Sequence, residues 1–185
     1  MFELRPPPVC EETGSDEHYT PRWLLRSVAE ARYIDLDPCC DPSRGTPAET
    51  HFVGLEGEDG LARPWWGHVW LNPPYSDLTS WITKARAELD AERVELVTAL
   101  IPFRPEGFWA GTIWHPGTAI GHFHQRIRFE NPRGTPAAGS GRFPSALIVL
   151  AQTRRIAEYH AELITEELPE SRASRLTWCA TIAGM

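Results

Sequence analysis

The sequence lacks a long apolar run. Its longest apolar stretches, residues 97–101 and 146–151, have the length of strands, whereas a membrane-spanning helix needs about 20 apolar residues. The N-terminal residues also lack the charged start and the apolar core of a secretion signal. We therefore expect no membrane segment and a cytoplasmic protein.

Positive charge is also scarce. The 185 residues carry 18 basic side chains against 25 acidic ones, a net charge of −7, and Lys84 is the only lysine beside 17 arginines. This balance excludes a protein that binds nucleic acid through bulk positive charge, but it allows an enzyme that contacts a few phosphates. The use of arginine for lysine is typical both of phosphate recognition and of a GC-rich genome.

The four cysteines do not form a metal-binding pattern. Cys39 and Cys40 are adjacent, and neither Cys10 nor Cys179 completes a C-x-x-C pair. We predict four reduced thiols and no metal site.

What is present is the pattern of one α/β domain, as expected for 185 residues. The predicted helices cover residues 21 to about 31, about 78–91 and about 153–168; the predicted strands cover 33–36, 68–71, 94–101, 126–130 and 145–151, with one more near 52–53. Thr20 and Asp77 are predicted to cap the first two helices. Strands that alternate with helices and are followed by a hairpin predict a mostly parallel sheet with an antiparallel edge.

Residues 71–75, LNPPY, carry the strongest functional signal. Two consecutive prolines fix φ and lack amide hydrogens, so the turn is rigid and its carbonyl groups are free to accept hydrogen bonds. The Asn72 side-chain oxygen and the Pro73 carbonyl can accept both hydrogens of a flat amino group, and Tyr75 can stack on its ring. The motif follows a strand, as does DLDPCCDP at 35–42, and ligands of such sheets bind at the carboxyl ends of strands. The alternative is a strand-ending turn with a buried tyrosine.

The sequence resembles the phage-type, Dam-like family of DNA N6-adenine methyltransferases, which use S-adenosylmethionine. The resemblance covers roughly residues 18–151. It rests on YTP at 19–21, DLDPCC at 35–40, DGL at 59–61, PWW at 64–66, VWLNPPYS at 69–76, ALIPFR at 99–104 and GRFPSALIVL at 141–150. NPPY alone is typical of amino-group methyltransferases as a class, and the ordered set of the other segments points to adenine.

The resemblance implies a fold, and together with the acidic, proline-containing N-terminal segment it indicates a domain organisation. The fold would be a reduced Rossmann-like class I methyltransferase sheet, mostly parallel with an antiparallel edge hairpin. We expect a flexible N-terminal arm at residues 1–17, the methyltransferase domain at 18–151, and a C-terminal helix and tail at 152–185. A role in protecting phage or mobile-element DNA from restriction is implied by the resemblance alone.

The resemblance also implies a reaction. The N6 amino group of a flipped-out adenine would attack the sulfonium methyl directly, without a covalent enzyme intermediate. The residues that match the catalytic motif are Asn72, Pro73, Pro74 and Tyr75.

The implied cofactor contacts lie in three segments. They involve Thr20 and Pro21, then Asp35, Asp37 and Pro38 at the end of the first strand, and finally Asp59 before a glycine. Asp37 is favoured over Asp35 because it lies nearer to the end of the strand. For both aspartates the alternative is a carboxylate that caps the following turn, and for Asp59 it is a plain turn residue. The chain departs from many methyltransferases because Pro38-Cys39-Cys40 stands where a Gly-x-Gly is usual, and because the span from Asp37 to Asn72 is short.

Residues 102–142 are the candidate DNA-recognition segment. Five arginines against two glutamates give the segment a charge of +3, whereas the rest of the chain carries −10. The arginines that we expect to bind DNA are Arg104, Arg126, Arg128, Arg133 and Arg142. The segment also contains His115, His122 and His124, with the aromatic residues Phe108, Trp109 and Trp114.

Two other interpretations stay open at this point. The chain could methylate an RNA base amine or a protein glutamine, because NPPY suits any flat amine or amide. A glutamine enzyme, however, would be expected to have a glycine-rich cofactor loop and a separate helical domain, and neither is visible. A non-catalytic DNA- or protein-binding relative is the other alternative, although such a protein has no physical need for Asn72 and Tyr75.

Overall fold

The computed structural model describes residues 19–42, 45–54, 59–104, 113–131, 133–137, 144–173 and 176–179. The elements are α1 (Arg22–Ala31), β1 (Leu36–Asp37), β2 (Thr50–His51), β3 (Gly67–Leu71), a 3₁₀ turn (Tyr75–Asp77), α2 (Leu78–Asp90), β4 (Val94–Pro102), β5 (Thr118–Phe123), β6 (Ser145–Ala151), α3 (Arg154–Glu167), α4 (Glu170–Ala173) and β7 (Leu176–Cys179). The three long helices lie within one residue of their predicted ends. The predicted N-terminal arm lies outside the described residues.

Seven strands of the described chain form one sheet, in the order β2-β1-β3-β4-β6-β5-β7. The first four are parallel neighbours. β6, β5 and β7 continue the sheet as antiparallel neighbours. This confirms the predicted Rossmann-like α/β class with an antiparallel hairpin. The carboxyl ends of β1, β3 and β4 therefore lie at one edge of the sheet.

The first strand is shorter than predicted. Residues 33–36 were expected to pair, but only Leu36 and Asp37 form β1. The backbone before them still lies between its neighbours, because the Asp35 amide donates to His68 O at 2.9 Å and Asp35 O accepts from the Thr50 amide at 3.0 Å. β2 is equally short and lies at Thr50–His51, two residues before the predicted position.

The prediction of a strand at residues 126–130 is wrong. Ile127 and Phe129 are buried whereas Arg126 and Arg128 are exposed, and this alternation is typical of a half-buried strand. The segment is extended over the core, but around it the structure has only isolated bridges, including one from Glu130 to Tyr19. The strand that takes the predicted place beside β6 is β5, and neither β5 nor the edge strand β7 was predicted.

Neither predicted helix cap forms. Pro21, not Thr20, is the N-cap residue of α1, and its carbonyl accepts from the amides of Leu24 and Leu25 at 3.0 and 3.2 Å. Thr20 is thereby one residue too early to reach the first turn. Asp77 holds the N-cap position of α2 but its side chain caps no backbone amide, because it accepts from the Ser80 hydroxyl instead.

The sheet has a hydrophobic core on each face. Along β3, Trp70 packs in the core beneath α1 and α3, and Val69 and Leu71 pack in the core beneath α2. β6 is buried along its whole length and contributes alternate residues to the two cores. None of the helices in the described segments has the length and apolar character needed to cross a membrane.

Two buried histidines share a threonine beneath the sheet. His68 Nδ1 lies 3.0 Å from Tyr33 O, and its Nε2 lies 2.9 Å from Thr98 Oγ1, which lies 3.2 Å from His160 Nε2. Because a carbonyl can only accept, His68 Nδ1 carries the hydrogen, Thr98 donates to His68, and His160 donates to Thr98. Burial lowers the pKa of His68 to about 4 and that of His160 to about 3, so both rings are neutral at pH 7.

Candidate active site

A cavity of about 340 Å³ lies at the carboxyl ends of β1 and β3. The register of the sheet brings the two strand ends together, because Leu36 pairs with Val69 in parallel. The cavity lining includes Asp37, the last residue of β1, then Asn72 and the two prolines after β3, and Thr20 from the segment that enters α1. Three segments that are distant in sequence thus meet in one cavity.

Asn72, Pro73 and Pro74 form part of the cavity wall, whereas Tyr75, the last residue of the NPPY turn, is not among the lining residues. Pro73 is buried and Pro74 is exposed, and the carbonyl of Pro74 accepts from the Asp77 amide at 3.1 Å, which begins the 3₁₀ turn. The side-chain oxygen of Asn72 and the hydroxyl of Tyr75 are both buried. Burial raises the pKa of Tyr75, so its phenol stays neutral.

Asp37 is the buried carboxylate of the cavity. It is 2% exposed, and its oxygens accept from Thr46 Oγ1 at 2.8 Å and from the Cys39 amide at 3.1 Å. Burial raises the pKa of Asp37, and the hydrogen bond from Thr46 acts in the opposite direction. Thr46 was missed at the sequence level, because nothing in a loop nine residues further along signals that it returns to Asp37.

The two adjacent cysteines of the cavity are neutral thiols. Burial, followed by the nearby charge of Asp37, raises the pKa of Cys39 well above its ordinary value and that of Cys40 to about 12. A thiolate is the nucleophilic form of cysteine. Neither residue is therefore suited to covalent catalysis.

Four of the predicted cofactor residues do not line the cavity in the described part of the chain. Pro21 caps α1. The Pro38 carbonyl packs against Gly60, so closely that a Cβ on that residue would lie 1.9 Å from the carbonyl oxygen. Asp35 accepts from the His68 amide at 2.7 Å, and Asp59 accepts from the Leu61 amide at 2.9 Å. The two aspartates therefore bond to the backbone of a neighbouring strand and of their own turn, respectively.

The candidate DNA-recognition segment does not form one surface. His115 precedes β5, and the strand then crosses the sheet so that His122 pairs with Ala146, opposite the end of β4. The rings of His122 and Phe103 have centroids 4.7 Å apart and are tilted by 53°. The cavity edge of the sheet thus carries His122 but not His115.

The arginines of this segment that the structure describes are exposed. Arg104 follows β4, and Arg126 and Arg128 alternate with buried residues just after β5. Arg133 is also exposed, in the turn after Glu130. Arg142, together with Phe108 and Trp109, lies outside the described residues.

Residues 126–131 contact both the cavity lining and the NPPY turn. The Glu130 amide donates to Tyr19 O at 2.9 Å, and Tyr19 lines the cavity. The ring of Phe129 meets that of Tyr75 at a centroid distance of 6.4 Å. Tyr19 and Phe129 were not singled out from the sequence, because these contacts depend on a segment that was predicted as a strand of the sheet.

A comparison with protein families gives a match to the family described as DNA N-6-adenine-methyltransferase (Dam), over residues 10–167. The chain belongs to the Dam family. The match includes every element from α1 to α3 and the whole cavity. Membership implies DNA adenine-N6 methyltransferase activity in general, with DNA as the substrate, and methyltransferases of this type generally use S-adenosylmethionine. Comparisons with curated proteins and with solved structures gave no match.

The cavity of this Dam family member has features that fit such a cofactor. Its volume of about 340 Å³ lies within the range of small-molecule sites. The hydroxyl of Thr20 is buried and has no hydrogen-bond partner among the described residues, although the side chain lines the cavity. A buried hydroxyl without a partner is costly in the free protein, and a bound polar ligand would satisfy it. Asp37 supplies an acceptor for hydroxyl or amino groups.

Proposed function

We propose that the chain transfers a methyl group from S-adenosylmethionine directly to the N6 amino group of a flipped-out adenine in DNA. The observation that carries the proposal is that one cavity is lined both by Asp37, at the end of β1, and by Asn72-Pro73-Pro74, after β3. A methyl donor bound beside Asp37 would be adjacent to an amine bound by Asn72 and Pro73. Such juxtaposition is a large part of catalysis in a direct transfer.

The cofactor would be held mainly by Thr20 and Asp37. The Thr20 hydroxyl can donate to and accept from a polar ligand, and the Asp37 carboxylate can accept from ribose hydroxyls or from an ammonium group. The other residues proposed from the sequence are Pro21, Asp35, Pro38 and Asp59. These four residues lie outside the cavity lining. Asp35 and Pro38 are within two residues of Asp37 along the chain, so their role would be to position Asp37.

The target base would be held by the NPPY turn. Asn72 Oδ1 and the Pro73 carbonyl accept the two hydrogens of the amine, which draws the nitrogen lone pair out of conjugation with the ring. Tyr75 stacks on the flipped-out base. When bound, S-adenosylmethionine would supply an electrophilic sulfonium methyl group whose leaving group is a neutral thioether, and the proton that N6 releases would pass to solvent.

The chemistry of the cavity supports direct transfer. The two thiols in the cavity, Cys39 and Cys40, have raised pKa values and stay protonated. The Tyr75 phenol is neutral for the same reason. The chain's contribution is therefore orientation and polarisation of the amine, not formation of a covalent intermediate.

DNA would lie across the edge of the sheet that contains the cavity. Arg104, Arg126, Arg128 and Arg133 are exposed, Arg104 lies two residues after β4, whose carboxyl end is at this edge, and guanidinium groups suit phosphate oxygens. We include Arg142 in the proposal on its sequence position alone. The phosphate contacts would offset the cost of unstacking the base, which is a few kcal/mol.

The test is transfer of labelled methyl from S-adenosylmethionine to mixed-sequence DNA, followed by nucleoside analysis. We expect N6-methyladenine from the wild-type protein and a loss of at least about 100-fold in Asn72→Ala, because each positioned polar group contributes about 2.7–4 kcal/mol to such a transition state. Tyr75→Ala should also lose activity. Tyr159→Ala is its matched control, since Tyr159 is 61% exposed on α3, and should retain full activity.

The same assay separates the alternatives. Binding of S-adenosylmethionine without label in DNA would contradict the proposal and indicate an RNA or protein substrate. Absence of both binding and label would indicate a binding module that retains the fold. Cofactor binding can be followed independently by thermal shift, because a ligand at 100 times its dissociation constant stabilises the folded state by about 2.7 kcal/mol.

A further inference from the structure

Tyr75 is in contact with one particular aromatic residue. Its ring and that of Phe129 have centroids 6.4 Å apart and an interplanar angle of 72°, an edge-to-face pair. Phe129 is 4% exposed within the core beneath α1 and α3, and Tyr75 packs against that core from outside. The half-buried aromatic of the NPPY turn is thus supported by a fully buried one.

The backbone around Phe129 is held on both sides. The Phe129 carbonyl accepts from the Ala137 amide at 2.9 Å, and the next amide, that of Glu130, donates to Tyr19 O at 2.9 Å. The Glu130 carboxylate also accepts from the Arg22 amide, at the start of α1, at 3.3 Å. Phe129 is therefore a fixed point relative to α1 and to the wall of the cavity.

Tyr75 has less support from its own segment. It begins a 3₁₀ turn of three residues, directly after two prolines. The prolines restrict the backbone, but they do not select the side-chain rotamer of the following residue. The ring of Phe129 restricts the rotamers of Tyr75, since an edge-to-face pair has a preferred geometry.

We propose that Phe129 is a positioning residue for methyl transfer, which holds the Tyr75 ring in the orientation that stacks on the target adenine. The inference rests on the proposed function. Phe129 acts through Tyr75 and has no direct contact with the reacting atoms. Its loss should therefore lower the rate of transfer from bound substrates and leave cofactor affinity unchanged.

The first test is Phe129→Leu in the full chain, with kcat, the KM for mixed-sequence DNA and the Kd for S-adenosylmethionine measured separately. We expect kcat to fall roughly 3- to 10-fold, the range that corresponds to the loss of one aromatic pair, with Kd unchanged. Phe123→Leu is the matched control. Phe123 is 6% exposed in the same core, and its ring meets that of Trp23 edge to face with centroids 6.3 Å apart. The control variant therefore also loses one buried phenylalanine ring, but not the ring that contacts Tyr75.

A double-mutant cycle distinguishes positioning from a general loss of packing. In a Tyr75→Leu background, Phe129→Leu should lower kcat no further, because the residue through which it acts is already absent. A further loss by the same factor would overturn the inference. Phe129→Tyr retains the ring and should keep kcat near the wild-type value; a folded Phe129→Tyr as slow as Phe129→Leu would also overturn it.

The outcomes are distinct from those of the proposed function. Wild-type protein that forms no N6-methyladenine overturns the proposed function and this inference together. Active wild-type protein with equal kcat in Phe129→Leu and Phe123→Leu overturns this inference alone. Melting temperatures of both variants show whether their core losses match.

Discussion

The hydroxyl of Thr46 donates a hydrogen bond to the carboxylate of Asp37 at 2.8 Å inside the cavity. The two residues are nine positions apart and belong to different segments, the end of β1 and the loop before β2. Because Asp37 is 2% exposed, few water molecules can replace that donor. The hydroxyl of Thr46 therefore helps to keep a buried carboxylate ionised and oriented for a ligand.

Thr46→Val should weaken the binding of S-adenosylmethionine. The substitution keeps the shape of the side chain and removes the donor, so the pKa of Asp37 rises further and its orientation is less restricted. We expect the Kd to rise roughly 3- to 10-fold, measured by calorimetry, since a hydrogen bond to a charged group contributes about 1.5–3 kcal/mol and the Cys39 amide still donates to the carboxylate. Thr50→Val, in the adjacent strand β2, is the control, and equal effects of the two changes would contradict the assignment.

Thr20→Val should have opposite effects on stability and on binding. The Thr20 hydroxyl is buried without a hydrogen-bond partner in the described segments, so its removal should stabilise the free protein by about 1 kcal/mol. If the hydroxyl bonds to the cofactor, the same change should raise the Kd for S-adenosylmethionine about 5-fold. Thermal melts with and without cofactor measure both quantities.

The conservative change Thr20→Ser also tests whether the hydroxyl at position 20 binds the cofactor. It keeps the hydroxyl and should therefore keep the affinity. A Thr20→Val protein that binds the cofactor as tightly as the wild type would exclude Thr20 from the cofactor site.

The sequence allowed the prediction of those parts of the site that depend on strand ends. Asp37 and Asn72 each follow a short apolar segment, and parallel strands bring such ends to one edge of a sheet. Thr46 and Tyr19 could not be predicted in the same way, because loop and terminal segments return to the site through tertiary contacts that leave no periodic signal. The wrong prediction of a strand at 126–130 also arises from tertiary contacts. An extended segment that lies over a core shows the alternating burial of a strand, although it does not pair as one.

The salt dependence of DNA binding should identify the arginines that contact phosphates. Each phosphate contact contributes about 0.9 to the slope of log K against log salt concentration. Arg126→Gln and Arg128→Gln should each reduce the slope by about this amount. Arg155→Gln is the control, because Arg155 is exposed in α3 just after β6, whose end pairs with Leu96 at the edge away from the cavity. A slope that changes only in Arg155→Gln would place the DNA at the edge of the sheet away from the cavity.

Folding stability should fall between pH 6.5 and about pH 4 because of His68 and His160. Burial lowers the pKa of these rings in the folded state to about 4 and about 3, whereas in the unfolded chain both have the ordinary value of 6.5. In this window the unfolded state binds more protons, so stability rises with pH by up to about 1.4 kcal/mol per pH unit for each histidine. The contribution is complete above pH 6.5 and is lost as the pH falls towards the folded-state values.

Urea unfolding at several pH values measures this slope directly, and a double variant isolates its source. In His68→Asn with His160→Gln, the amide nitrogens can still donate to Tyr33 O and to Thr98, in place of the ring nitrogens Nδ1 and Nε2. Neither amide takes up a proton, so the variant should lose most of the slope between pH 6.5 and 4. It should also lose part of its stability at pH 8, because the shorter asparagine side chain cannot replace the ring nitrogen that accepts from Thr98. A variant with the wild-type slope would show that other groups, such as the paired carboxylate of Glu88, govern acid unfolding.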